Sequence, residues 1–413
     1  MRLNYSTTRK SAYIGYISQA IINNLAPLLF VTFQTKFGVS LEQISLLVTV
    51  NFVIQIFVDL MSIPIINFLG YRKTILFSQF FCICGLVGMS TLPFIMKNGF
   101  AALLLAVSLG AVGSGISEVI ISPLLEALPS DNKSASMSLL HSFYSWGQVL
   151  VVLGSTVYFM TFGVENWRYL PLIWTIVPMV CFVMFTKVPI CHLTEEGEAM
   201  PIKHLFSSFA FWIMIVLMIS AGAAEQSMAQ WASLFAETGL GVSKTLGDLL
   251  GPCVFAALMG ISRLYYGCRG DRINLKKALA LSSVLCILSY VVASVSRNPI
   301  IALLGCGFCG FSVGLMWPGI YSIAAHKYKK GGTSMFALLA FGGDIGCSAG
   351  PALVAFVSSN VKSDNGILSK IFSGSAEEIA LKAGIGSAVV FPILMLLGII
   401  MLCVNKRSKT KHN

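Results

Sequence analysis

The stretch DRINLKK, residues 271–277, has a counterpart in the same chain, NFLGYRK at residues 67–73. Both follow a long apolar run and both end in two basic residues, and they lie 204 positions apart. The segments before them also correspond, since FGVS at 37–40 matches LGVS at 240–243, 203 positions further on. This spacing indicates a duplication, in which two halves of the chain share the same order of segments.

The composition of both halves is that of a membrane protein. Hydrophobic residues make up 56% of the 413 residues and charged residues 11%, whereas soluble domains carry about 25% charged residues. Apolar runs of roughly 20 residues recur along the chain, and each is long enough to cross a hydrocarbon core of about 30 Å. The sequence therefore predicts an all-α membrane protein that crosses the lipid bilayer many times.

Charges and clusters of Pro, Gly and Asn divide the apolar runs into twelve predicted helices. They cover residues 11–33, 42–66, 74–96, 99–126, 134–160, 168–186, 207–236, 244–266, 275–296, 299–325, 333–358 and 380–404. A long polar segment at residues 191–206 separates the sixth helix from the seventh. We therefore predict two six-helix bundles, residues 1–190 and 207–413, joined by a cytoplasmic linker.

Basic residues distinguish the two sides of the membrane. With the N-terminus in the cytoplasm, 19 of the 28 Lys and Arg residues fall in cytoplasmic segments and 8 in outer segments. Because cytoplasmic loops are enriched in Lys and Arg, both termini are predicted to be cytoplasmic. The net charge of +11 is then a consequence of topology, so nucleic-acid binding is not expected. We expect a monomer in the cell membrane.

Ionisable residues inside the predicted helices are few, and each costs roughly 2.5–3.5 kcal/mol at the bilayer centre, so each suggests a function. The candidates within the membrane are Asp59, Glu118, His141, Glu225, Arg263 and Asp344. Glu118 stands in GSGISEVIISPLLEAL, residues 113–128, behind glycines that permit close helix packing. A carboxyl group out of water binds a proton more readily and releases it when water returns. Glu118 is therefore predicted to exchange protons, with a purely structural glutamate as the alternative.

Side chains suited to binding a small polar molecule recur on three predicted helices. His141, Tyr144 and Gln148 share one face of the fifth helix, where a proton relay between Glu118 and His141 is predicted. The alternative is that His141 is only a hydrogen-bonded histidine of the protein core. Carboxylate, amides and aromatic rings occur together as Glu225, Gln226, Gln230 and Trp231 on the seventh helix, with Trp317 and Tyr321 on the tenth. The tenth-helix rings are equally consistent with an interfacial aromatic belt.

Three further charged residues are predicted to serve a gate or helix packing. Asp59 continues a polar stripe on the second helix, and Arg263 occupies the matching position of the second half, 204 residues later and near the cytoplasmic end. Asp344 lies in FGGDIGCSAGP on the eleventh helix, among glycines that permit tight packing. Cation binding is the alternative role for Asp344.

The loop copy in the second half, with Arg263, Asp271, Arg272, Lys276 and Lys277, resembles the cytoplasmic loop signature of the major facilitator superfamily. The resemblance implies two six-helix halves that rock around a site near the midplane. It also implies a charge relay at the inner gate, in which Asp271 and Arg272 take part. The basic pair Arg72 and Lys73 holds the corresponding place in the first half.

A closer resemblance is carried by two helices. Residues 113–128 and LLHSFYSWGQVLVVLGS, residues 139–155, resemble the corresponding helices of the fucose/proton symporter family within that superfamily, and the pair Asn23 and Asn24 also fits. The resemblance implies that Glu118 contacts a sugar and takes part in proton coupling, with the two asparagines at the substrate site. Ile21 stands where that family has an Asp.

The expected function is secondary active transport, in which a sugar or similar small polar solute enters with protons by alternating access. The chain has neither a GxxxxGK[ST] nor an HExxH motif, so we predict neither an ATP-driven machine nor an enzyme, and no cofactor or metal. The expected partners are the solute, protons and the lipid bilayer. The alternative is a drug or metabolite efflux antiporter of the same fold, and the remaining class is a membrane-embedded enzyme or a sensor without transport.

Overall fold

The computed structural model describes residues 4–129, 133–190, 202–269, 274–328, 332–361, 372 and 374–410. Within these residues, twelve helical segments are long and apolar enough to cross a membrane. Six of them end before residue 190 and six begin after residue 202. The twelve spans predicted from the sequence, six in each half, are therefore confirmed.

The spans are numbered in chain order. The first half contains α1 (Tyr5–Phe37), α2 (Leu41–Met61), α3 (Phe68–Ile95), α4 (Gly99–Ile121), α5 (Leu139–Phe162) and α6 (Val164–Lys187). The second half contains α7 (Phe209–Gly239), α8 (Lys244–Tyr266), α9 (Leu275–Val295), α10 (Pro299–Ala324), α11 (Leu338–Asn360) and α12 (Ala376–Leu402). Some helices continue past these apolar spans, to Gly99–Ala127 for α4, Lys133–Phe162 for α5 and Gly332–Asn360 for α11. A short helix, Ile202–Phe206, lies in the predicted linker, whose residues 191–201 are outside the described part.

Polar caps explain where several helices begin. The side chain just before the helix accepts a backbone N–H at Asn4, Ser40, Asn98, Asn274, Asn298 and Ser375. Each such cap stabilises a helix start by about 1 kcal/mol, because it satisfies an N–H group that has no partner within the helix. These Asn and Ser positions lie at the polar breaks that divide the apolar runs in the sequence.

Two interruptions shape the first half. α1 tightens into a 3-10 turn at Ala26–Leu29, where Pro27 has no N–H to donate, and the α-helix resumes at Phe30. α2 and α3 form one helical run that turns at Gly70, whose φ of 76° is a conformation that glycine adopts without steric cost. The proline turn matters for the site, because the Leu28 carbonyl beside it bonds to the other half.

Contacts between the halves run along three sets of helices. α5 packs against α8, the α2–α3 run packs against α11, and the 3-10 turn of α1 packs against α7. Within the first half, α1 packs against both α4 and α5 more extensively than those two pack against each other. The centre of the protein is therefore formed by side chains from both bundles.

Candidate transport site

A cavity of about 70 Å³ lies between the two halves. The first half lines it with Tyr16, Gln19, Asn23, Phe52, Gln55, Glu118, His141 and Tyr144, and the second half with Glu225, Gln226, Arg263, Trp317, Asp344 and Cys347. Pockets for drug-sized ligands are typically 300–1,000 Å³. In this conformation the halves are therefore closed around a space that admits only a few water molecules.

Glu118 reaches the cavity from α4 and is bonded to α1. Gln19 Nε2 donates to Glu118 Oε2 at 2.6 Å. The predicted direct pair with His141 is not formed; the His141 ring instead lies edge-on to Tyr16, with 5.5 Å between the ring centroids. The physical reason is that α1 lies between α4 and α5 and supplies the nearer partners. The proton-coupling role of both residues remains a prediction.

Two side chains of the second half form an ion pair at the cavity, and one of them also bonds to the first half. Arg263 Nη2 donates to Glu225 Oε2 at 3.0 Å, and both side chains are buried. Arg263 Nη1 donates to Ser145 Oγ at 2.9 Å and to the His141 carbonyl at 3.4 Å. Arg263, predicted from the sequence for a cytoplasmic gate, therefore lies at the central cavity and joins α7, α8 and α5.

Amide side chains of the first half form a buried network around Asn23. Its Oδ1 accepts bonds from Gln55 Nε2 at 3.3 Å and Ser114 Oγ at 3.1 Å. Asn24 Nδ2 donates to the Tyr144 hydroxyl at 3.4 Å. The predicted residues Asn23, Asn24 and Tyr144 are thus brought together. Gln55 lies one turn before Asp59 on the polar stripe of α2, and the bonds that place it in this network could not be read from the sequence.

The predicted binding residues of the second half separate into two groups. Gln226 and Trp317 line the cavity, and Gln226 accepts a bond from Gln230 Nε2 at 3.0 Å. Trp231 lies away from the cavity lining, because its side chain is fully buried and its Nε1 donates to the Pro351 carbonyl at 3.2 Å. Three further predicted residues lie outside the lining. Tyr321 is edge-on to Trp317, Gln230 donates to the Asn23 carbonyl, and Gln148, which belongs to the first half, is buried.

The predicted gating residues are spread over different environments. Asp344 is buried at the cavity, and its carboxyl group lies beside that of Asp59 on α2. Arg72 donates to the Phe185 and Val188 carbonyls at 2.6 and 2.8 Å, where a cation stabilises the end of α6. Lys73 is exposed, and the predicted gate residues Asp271 and Arg272 lie outside the described part of the chain.

A cluster around Lys244, which sequence reasoning missed, closes the side opposite the two termini, here called the far side. Lys244 Nζ donates to the Leu28 carbonyl of the first half at 2.6 Å. The ammonium is also 3.1 Å from Glu237 Oε1 and 3.2 Å from Asp248 Oδ2. From the sequence, Lys244 is a basic residue in a loop between two helices. Pro27 and the acidic residues near Lys244 in the sequence were the signals that could have identified the cluster. It is a charged link between the halves on this side.

We expect Lys244→Met to open the far side. The change removes the bond to the Leu28 carbonyl and leaves Glu237 and Asp248 to repel each other. A Leu28→Cys reporter, 2% exposed in the closed protein, should then react at least about tenfold faster with a membrane-impermeant maleimide, equivalent to ~1.4 kcal/mol of lost closure. Protein without the reporter corrects for the native cysteines.

The matched control for the Lys244 change is Lys36→Met. Lys36 is also a lysine on the far side, and its ammonium pairs with Glu165 on the protein surface rather than across the halves. Exposed ion pairs contribute little, so the labelling rate should not change. Equal acceleration by both substitutions would show that Lys244 does not link the halves.

A family model described as the Major Facilitator Superfamily matches residues 12–351. An uncharacterized MFS-type transporter of Yersinia pestis is 24% identical over 269 residues, which cover 64% of this chain and 67% of the relative. The family resemblance inferred from the loop and helix motifs is therefore confirmed.

Solved structures share the fold at low sequence identity. The Escherichia coli fucose:proton symporter matches with a TM-score of 0.64 and 14% identity over 94% of this chain and 98% of that one. A D-xylose-proton symporter matches with a TM-score of 0.71 and 14% identity over 93% of this chain and 95% of that one. A bacterial homolog of the human lysosomal transporter Spinster, in an inward-facing and occupied conformation, matches with a TM-score of 0.71 and 13% identity over 96% of each chain. At such identities the likeness concerns the fold alone.

Proposed function

The chain belongs to the major facilitator superfamily of membrane transporters, and from that premise we propose that it takes up a sugar or a similar small polar solute together with protons. The halves rock around the central cavity, which opens to one side of the membrane and then to the other. Two sugar-proton symporters share the fold, which supports this class of solute.

The observation that carries the proposal is Glu118 in the closed cavity. Its carboxyl group accepts one amide bond, from Gln19, and among the described residues it is in no ion pair. The cavity is also lined by the carboxyl groups of Asp344 and Glu225, and Glu225 is paired with Arg263. A carboxyl group without a counter-charge favours its neutral, protonated form in such a place. Opening to water on either side lets it release the proton, so proton movement follows the rocking of the halves.

The surrounding side chains fit a hydroxylated solute. Asn23, Gln55 and Gln226 present amide groups that donate and accept hydrogen bonds. Trp317 supplies an aromatic face on which the apolar side of a sugar ring can pack. Because the closed cavity is smaller than a monosaccharide site, the solute enters a more open conformation and the halves then close on it.

The remaining features of the proposal follow from topology. With both termini in the cytoplasm, the far side is the outer face of the cell membrane, and the Lys244 cluster is the outer closure. The proton gradient supplies the energy, and the protein works as a monomer without a cofactor. Efflux by proton antiport would use the same residues with the opposite relation between solute and proton flow.

The direct test uses purified protein in proteoliposomes with an inward proton gradient and a panel of neutral and amino monosaccharides. We expect at least one sugar to accumulate, and a protonophore to abolish the accumulation. Addition of that sugar to a lightly buffered suspension should make the medium more alkaline. A more acidic medium would instead identify antiport, and transport without any proton movement would overturn the coupling.

A further inference from the structure

Pro27 deprives one backbone carbonyl of α1 of its usual partner within the helix. In a regular α-helix the N–H group of residue 27 bonds to the carbonyl of residue 23, and proline has no N–H group. Here a donor comes from the other half, because Gln230 Nε2 on α7 donates to the Asn23 carbonyl at 3.1 Å. Both residues are buried, and a buried carbonyl without a donor is costly. Closure of the halves therefore satisfies a group that the interrupted helix cannot satisfy in the usual way.

The same Gln230 amide fixes the orientation of Gln226, one turn earlier on α7. A backbone carbonyl only accepts hydrogen bonds, so the group of Gln230 that faces Asn23 is its Nε2. That Nε2 also donates to Gln226 Oε1 at 3.0 Å. Within the described part of the chain, Gln226 Nε2 bonds to no protein acceptor. Because Gln226 lines the cavity and its oxygen is held by Gln230, it offers N–H donors to a solute.

We propose that Gln230 is a positioning residue that couples closure of the halves to solute binding. This inference rests on the proposed binding of the solute in the cavity. In the closed protein Gln230 is anchored on the first half and holds Gln226 with its donors toward the solute. When the halves separate, the anchor at Asn23 is lost and the Gln226 amide can rotate. A solute oxygen that accepts a bond from Gln226 therefore favours the closed conformation, because the linkage between binding and closure is reciprocal.

The anchor is tested without any solute, by a double-mutant cycle in protein that carries the Leu28→Cys reporter. Gln230→Met keeps the length of the side chain and removes its donors, so maleimide labelling from the far side should become about fivefold faster. Pro27→Ala supplies the N–H group that the Asn23 carbonyl lacks, so in that background the same change should accelerate labelling less than about twofold. Equal acceleration in both backgrounds, or none in either, would overturn the role of the Asn23 carbonyl.

The matched control is Gln79→Met, which makes the same change at a buried glutamine of α3. Gln79 Nε2 donates to Ser117 Oγ at 3.0 Å, within the first half. Loss of that bond does not change a contact between the halves, so the labelling rate should stay within about twofold of the original rate. Acceleration by Gln79→Met as large as that by Gln230→Met would indicate general loosening of the fold and would contradict the proposal.

The orientation of Gln226 is tested with sugars that keep or lose an acceptor. Binding of glucose, galactose and mannose to the purified protein, followed by tryptophan fluorescence, is compared with that of their deoxy and deoxyfluoro derivatives. Fluorine accepts a hydrogen bond weakly but cannot donate one, and hydrogen does neither. At one ring position we expect the deoxyfluoro sugar to bind within about threefold of its parent, and the deoxy sugar at least about tenfold more weakly.

Two variants assign that difference to the glutamine pair. Gln226→Met should remove it, and Gln230→Met, which leaves the Gln226 amide able to rotate, should reduce it to about threefold or less. A difference that persists in full in Gln230→Met would show that Gln230 does not position Gln226.

These measurements separate the role of Gln230 from the proposed function. Sugars that bind and move protons, with equal effects of Gln230→Met in both backgrounds, would overturn the positioning role and leave proton-coupled sugar uptake standing. Absence of binding by every sugar would overturn the proposed class of solute. The double-mutant cycle would then still decide whether Gln230 holds the halves closed through Asn23.

Discussion

Replacing Glu118 by Gln is expected to reduce uptake driven by a proton gradient to the level of protein-free liposomes, while exchange of solute across equal concentrations continues. The amide has nearly the same shape, and its oxygen can still accept the bond that Gln19 donates to Glu118. What it lacks is a proton to release. Exchange needs only that the loaded halves rock, whereas accumulation needs proton binding and release in every cycle.

The Glu118 experiment compares accumulation and counterflow in the same preparation of proteoliposomes. Glu165→Gln is the matched control, because it makes the same chemical change at a largely exposed glutamate that pairs with Lys36. That variant should accumulate solute normally. Full gradient-driven accumulation by Glu118→Gln would mean that another group carries the proton. Loss of counterflow as well would assign Glu118 to solute binding or folding instead.

The fold was predictable from the sequence because each helix is determined by the residues of its own segment. Each span is an apolar run of membrane length, and side chains such as Asn98 and Asn298 stop one helix and cap the next. The duplication around residues 67–73 and 271–277 then relates the halves without any knowledge of contacts. Length and hydropathy are properties of a segment, so they can be read segment by segment.

Which side chains contact each other within the site could not be predicted in the same way. A charge inside an apolar run indicates function, which correctly drew attention to Glu118, Glu225, Arg263 and Asp344, all of which line the cavity. Which of them meet depends on how helices distant in sequence are arranged. α1 lies between α4 and α5, so Glu118 bonds to Gln19 rather than to His141.

Position along a helix was a poor guide to depth in the protein. Arg263 lies close to the end of α8 and was grouped with the gate, yet its guanidinium extends to the cavity and pairs with Glu225. The long, flexible side chain of arginine separates its charge from its backbone position by several bonds. For the same reason Lys244, counted as an outer loop charge, reaches the Leu28 carbonyl between the halves.

The pair Arg263 and Glu225 gives the second large expected effect. Both residues are buried, with 6% and 7% exposure, so removing one charge leaves the other without compensation in a region of low dielectric. We expect Arg263→Met to lower stability by about 3–5 kcal/mol and to abolish transport. The double variant Arg263→Met with Glu225→Gln should recover most of the stability, because no uncompensated charge remains, but it should not recover transport.

The physical reason for this separation is that Arg263 has two roles. It neutralises Glu225 in the second half, and it also bonds to Ser145 and the His141 carbonyl in the first, so it helps to hold the closed conformation. Arg263→Lys keeps the charge but loses the fork of donors, and we therefore expect near-normal stability with impaired transport.

Thermal unfolding in detergent and counterflow measure the two properties separately. The exposed pair Lys36 and Glu165, changed in the same way, should alter stability by no more than about 1 kcal/mol. A double variant that transports normally would show that the pair serves folding alone.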